Sequence, residues 1–192
     1  MTQRPAGRVS RRALPVLLLA LAAWPALAAD LAGCDKTRWG MRSGEIAALY
    51  GQRAVKLDGR IEFDRLYTDI ALRQQPFAGL DFTVYFQMDE HSRRLAQVLL
   101  ERRRQYATPE AWQAVAAALT QELGPESGNC DRRGDPAAGK PHILDRVWTL
   151  PTTTIHASYI DFGVGESAEL SRRLLVRYVP AARDSSACPR SG

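Results

Sequence analysis

From Leu80 to Met88 the chain alternates strictly: Leu80, Phe82, Val84, Phe86 and Met88 are separated by Asp81, Thr83, Tyr85 and Gln87. Successive side chains of a strand point to opposite faces, so a period of two marks a β-strand with one face buried. Such a strand needs ladder partners and a layer to cover its apolar face. Leu66, Thr68, Ile70 and Leu72 repeat the pattern just upstream, alternating with Tyr67, Asp69, Ala71 and Arg73. Polar residues 89–93 then read as a turn and 94–101 as a returning strand, which makes a hairpin. Three further strands are predicted at 146–150, 153–160 and 172–179.

The covering layer is supplied by two helices. Ser43 is read as the N-cap of a short helix over 43–50, with Glu45 in its first turn, Gly51 at its end, and Ile46, Leu49 and Tyr50 as its apolar face. The second helix begins at Thr108-Pro109-Glu110 and stops at Gly124-Pro125. Trp112, Val115, Ala116, Leu119 and Leu123 share one side of it. Strands that arrive in hairpin-linked runs imply an antiparallel sheet rather than βαβ crossovers. The expected class is therefore α+β: an antiparallel sheet with two helices packed on it. Each half places a helix ahead of about three strands, which admits a reading as a tandem αβββ duplication. The Gly, Pro and Arg-rich stretch 126–141 is expected to be a surface loop.

Arg4, Arg8, Arg11 and Arg12 precede an apolar run from Ala13 to Ala29 that closes on Ala26-Leu27-Ala28. A basic start, an apolar middle and small residues at the end are the parts of a secretory signal peptide. Its 17 residues include Pro15 and Pro25, and a membrane span needs about 20 apolar residues. Residues 1–28 are thus expected to be cleaved, leaving one domain over 29–179 and a tail over 180–192. Four of the 26 basic residues and none of the 21 acids lie in that leader, so the formal +5 falls to +1. A nucleic-acid partner would need a surviving basic excess, and none is expected.

Export into an oxidising compartment permits disulfides. The cysteines are Cys34, Cys130 and Cys188, and three cannot all pair in one chain. Leu31-Ala32-Gly33-Cys34 spells a lipoprotein processing site, in which Cys34 is acylated and Cys130 pairs with Cys188. Against that stands Asp30, a charge where the segment should still be apolar, and the earlier cut after Ala28. A soluble periplasmic form is the expectation, and a membrane-anchored lipoprotein is the alternative. A Cys130–Cys188 bond would tie down the tail and contribute about 2–4 kcal/mol.

Candidate chemistry is sparse. His91, His142 and His156 are far apart and lack metal-ligand spacing; His156 alternates with Ile155 and Ala157 and is expected to point away from the core, either solvated or hydrogen-bonded. His156, Ser158 and Asp161 suggest a triad, but on one strand Asp161 falls on the face opposite the other two. Gly163-Val164-Gly165 joins two strands and opens no helix, so it lacks the terminus that would hold a phosphate. Arg102, Arg103 and Arg104 form a charge run, as do Arg132-Arg133 and Arg172-Arg173; such runs are usually a solvated face. Glu62, Asp64, Asp69, Asp81 and Asp89 are explained by solvent-facing positions. Trp39 and Trp148 are candidate interface anchors, since aromatics are enriched at hot spots, with burial in the core an equal alternative. No catalytic residue, cofactor or metal is expected.

Trp39-Gly40-Met41-Arg42-Ser43-Gly44-Glu45-Ile46, with Leu49 and Gly51, resembles the opening of small bacterial envelope proteins. The β-barrel assembly lipoproteins of the small-protein-A type begin this way, and the β-lactamase-inhibitor-protein fold has tandem helix-plus-sheet repeats of similar length. The resemblance implies a binding or assembly role exercised through a protein surface. The leading expectation is a non-enzymatic periplasmic module that docks another envelope protein. The alternatives are a small hydrolase with a site assembled from distant residues, or a carrier of a lipid or small ligand.

Overall fold

The computed structural model describes residues 33–135, 138, 140–163 and 171–184. Eight strands form one sheet, in chain order β1 (Ala54–Phe63), β2 (Leu66–Phe77), β3 (Leu80–Asp89), β4 (Leu95–Glu101), β5 (Gly128–Arg132), β6 (His142–Thr149), β7 (Thr153–Asp161) and β8 (Arg172–Pro180). Helix α1 (Ser43–Tyr50) precedes β1, and α2 (Pro109–Leu123) precedes β5. The spatial order is β1-β2-β3-β4-β8-β7-β6-β5, and every neighbouring pair is antiparallel. The expected antiparallel sheet carrying two helices is thus the architecture.

Each helix leads a meander of four strands, where the sequence suggested about three. The strands that were missed, β1 and β5, are the two edges of the sheet. An edge strand has neighbours on one side only and is protected by charge, shortness or bulges, and those devices erase the apolar alternation by which strands are recognised. In β1, Lys56, Asp58, Arg60 and Glu62 stand along the strand, and its pairing with β2 is interrupted between Lys56 and Ile61. Gly59 occupies φ 136° inside that interruption. Strand β5 lies within the stretch expected to be loop; it has five residues, and Cys130 is its one buried apolar side chain.

The central strands read as expected. Ala78 and Gly79 both take positive φ between the paired Phe77 and Leu80, the geometry of the two-residue turn whose twist suits a hairpin. On the helix-covered face, Ile70, Phe86, Val98, Tyr178, Ile155 and Trp148 form one row through the registers of six strands. Helix α2 lies over the C-terminal half: its Trp112 Nε1 donates to Ala157 O at 2.8 Å, and Val115, Ala116 and Leu119 are buried. Thr108 Oγ1 accepts from Ala111 N at 3.1 Å, so the expected cap forms.

Helix α1 differs in two details. Arg42, not Ser43, is the N-cap, and Glu45 Oε2 accepts from Arg42 N at 2.7 Å. Ser43 Oγ is free to donate to Asp69 Oδ1 on β2 at 2.8 Å. Ile46 and Tyr50 are buried, but Leu49 is 40% exposed, because one eight-residue helix can turn only a narrow stripe to the sheet. Leu119→Ala should therefore lower stability by about 2–5 kcal/mol, while Leu49→Ala should change it by less than about 0.5 kcal/mol. Urea unfolding of both variants checks this, and similar midpoints would contradict the placement of the two helices.

Candidate functional site

The face opposite the helices is defined by pairing register. Val55, Ala71, Tyr85, Leu99, Arg177, His156 and Val147 make a continuous row across seven strands. The C-terminal end of this row is closed and the N-terminal end is open.

At the closed end His156 is fully buried, hydrogen-bonded and not solvated. It does point away from the helices, but residues 181–184 form a 3-10 turn and its cap over it. His156 Nδ1 lies 3.1 Å from Asp145 Oδ2, and Nε2 lies 3.2 Å from Asp184 Oδ1. Ionised carboxylates only accept, so hydrogen bonds at both nitrogens require the imidazolium or a proton on one carboxyl. Ser158 Oγ donates to Asp145 Oδ1 at 2.7 Å. The order is therefore Ser158–Asp145–His156–Asp184. A hydrolytic triad needs the hydroxyl bonded to the imidazole, and here a carboxylate stands between them in a buried cluster. Asp161 is elsewhere, near Arg172 and the Gly163 N–H. The arrangement fastens the C-terminal turn to β6 and β7, and Arg183 with Asp89 at 3.5 Å fastens it to the other half.

At the open end a groove of about 800 Å³ crosses the sheet. Leu57, Ile61, Ala71, Arg73, Thr83 and Tyr85 line its floor, with Asp81, Arg102, Arg103 and Tyr106 along its rim. Breaks in regular pairing on two strands open it: β1 between Lys56 and Ile61, and β2 between Leu72 and Gln75. Bulges of this kind are enriched beside functional sites. The Tyr85 hydroxyl is pushed above its usual range, first by burial and then by the Glu101 carboxylate, with Arg73 opposing. Ile61 and Tyr106 are exposed, at 42% and 52%.

The residues singled out in the sequence are dispersed. Trp148 is a core residue at 2% exposure whose Nε1 donates to Gly124 O at 3.1 Å. Trp39 is half-buried against the core, its Nε1 donating to Thr153 Oγ1 at 3.1 Å. Trp148 is therefore not left for a partner, whereas Trp39 keeps part of its surface exposed. Cys34 is a free thiol packed on the core; burial, with Asp35 and Glu122 nearby, pushes its pKa up to about 12. Cys130 is buried in β5 and engaged; Cys188 lies outside the described residues, as do residues 1–32 and the tail beyond 184. His91 is exposed in a turn, and His142 Nε2 meets Asp131 Oδ1 at 2.7 Å on the β5 edge. Asp69 faces α1, Asp89 accepts from Ser92 in its turn, and Asp81 borders the groove, so these carboxylates do not converge. Among the described residues no three ligand-type side chains could hold a metal, and no helix is long and apolar enough to cross a membrane.

The groove itself was missed. Its arginines come from β2 and from the run after β4, and strand parity cannot reveal that the two meet. No protein family, curated protein or solved structure matches this chain.

The closed cluster yields a direct expectation. Asp145→Ala leaves His156 and Ser158 buried without their shared acceptor and should cost about 3–5 kcal/mol. Asp184→Ala removes the Nε2 partner at the partly exposed end and should cost about 1–3 kcal/mol. Denaturant titrations of the two variants provide the check; equal losses would mean that Asp145 is not the hub.

Proposed function

We propose that this chain is an exported, non-catalytic docking module that holds a segment of a partner protein in the groove on its helix-free face. The observation that carries the reading is the asymmetry of that face. Its C-terminal half is shut by residues 181–184, whereas its N-terminal half presents a floor and rim drawn from four separate chain segments. The groove is broad and half open, unlike enclosed small-molecule sites, which bury 70–90% of a ligand. Tyr and Arg, the types enriched at protein interfaces, dominate its polar lining.

The two αββββ halves, joined through their last strands, are read as a tandem duplication in which one copy kept an open face. The basic and apolar leader supports export, and a periplasmic location follows from it. Packing of the Cys34 thiol against the core favours the soluble form over the lipoprotein, because acylation would have to draw that sulfur out of its packing. A Cys130–Cys188 bond would hold the C-terminal segment across the closed half.

Two measurements test this reading. Ile61→Asp and Tyr106→Asp alter exposed groove residues and should weaken capture of a stoichiometric protein partner from envelope extract by about tenfold or more. Leu49→Asp, equally exposed beside the opposite layer, should leave capture unchanged. Equal capture by all three, or no partner on the unaltered protein, would sink the docking reading. The intact mass of the protein from its own cells should begin at Ala29. Without reductant, one thiol should become alkylatable, and only after unfolding, since the native Cys34 is packed and protonated at neutral pH. A mass starting at Cys34 with added acyl chains would replace the soluble form with a tethered one.

A further inference from the structure

Among the described residues, Arg133, Arg146, Arg172 and Arg183 each lie within 4 Å of a carboxylate. Most other described arginines, among them Arg38, Arg65, Arg132 and Arg177, have no such partner, and what distinguishes Arg73, Arg102 and Arg103 within that group is that all three line one groove. Arg73 and Arg103 make no ion pair among the described residues. Arg102 is held by its own loop: Nε donates to Tyr106 O at 2.7 Å, and the guanidinium lies 5.7 Å from the Tyr106 ring centre. That contact uses one donor, fixes the direction of the side chain, and leaves both terminal nitrogens unengaged. Arg73, Arg102 and Arg103 thus line one groove whose acidic neighbours are Asp81 on the rim and Glu101 beside Tyr85. The lining contains no lysine. Arginine offers a planar fork that matches a carboxylate bidentately, which lysine does not. Around Arg73 the floor is largely apolar, through Leu57, Ile61, Ala71 and the ring of Tyr85.

Resting on the docking reading above, we infer that the groove takes an extended acidic segment of the partner. Its carboxylates meet Arg73, Arg102 and Arg103, and an apolar side chain seats toward Leu57 and Ile61. The groove crosses β1, β2 and β3 and ends at the 102–106 loop. With strands about 4.8 Å apart, that is a path of about 15 Å, which four or five extended residues cover. A lone run of charge is usually a solvated face. What sets this one apart is that Arg102 and Arg103 line one groove with Arg73, from a strand about 30 residues earlier.

The test replaces Thr83, on the groove floor, with benzoylphenylalanine in the full exported chain, irradiates the producing cells and sequences the attached segment. The expected result is a partner segment in which acids outnumber basic residues. Its yield should fall about tenfold or more in Arg73→Glu, Arg102→Glu and Arg103→Glu variants, and stay closer to normal when the same positions become Lys. Added salt in isolated envelopes should lower it as well. A neutral or basic segment, or an equal yield from the charge-reversed variants, overturns the inference while leaving protein docking intact. A phospholipid adduct, or no protein adduct at all, overturns both.

Discussion

The pairing of β4 with β8 is the contact on which the rest of this molecule depends. Each is the last strand of its own four-stranded meander, and they join through Val98↔Tyr178, Leu99↔Arg177, Leu100↔Val176 and Glu101↔Leu175. Without it there would be two small sheets, each with one helix and two open edges. With it, Val98, Leu100, Val176 and Tyr178 become the centre of a continuous core, and the edges that remain are β1 and β5. Those two carry the charges, the pairing break and the short length that discourage further strand addition. The same junction makes the opposite face continuous, so that Leu99 and Arg177 connect the open groove with the closed histidine cluster.

How much was legible in the sequence follows from this geometry. Strands buried by neighbours on both sides keep strict apolar alternation, and β2, β3, β7 and β8 were placed within a few residues of their ends. Helix α2 was legible because its cap, proline, apolar stripe and terminal glycine all agree. Strands β1 and β5 were not, because an edge answers to solvent as much as to the core. His156 illustrates a further limit. Alternation correctly assigned it to the face away from the helices, but parity says nothing about what covers a face. A 3-10 turn that follows β8 supplies that cover, and no local pattern announces it. Arg73 joins Arg102 and Arg103 for the same kind of reason, through a register that only the folded sheet defines.

The closed and open ends of the helix-free face differ in how their polar groups are satisfied. At the closed end a polar cluster is affordable only because each member is satisfied: Ser158 and His156 share Asp145, and Asp184 completes the imidazole. An unsatisfied group there would carry its full desolvation penalty. At the open end the polar groups keep their water, so arginines need no internal partner. Burial therefore favours fixed structure on one half, and exposure leaves the polar groups of the other half to water.

Net charge hides this division. Residues 29–192 are together close to neutral, which argues against a generic attraction to polyanions. Yet a near-zero total is compatible with a local field where unpaired arginines meet over a low-dielectric floor, because nearby apolar walls focus the potential of a cleft. An arginine paired with a carboxylate adds nothing to the net charge and little to the field at a distance. Selectivity at such a groove would come from matching carboxylates to a few guanidinium forks, and affinity from the apolar contact beneath them. Neither part suffices alone: charge without the floor is a solvated surface, and the floor without charge is a small exposed patch with no preferred partner.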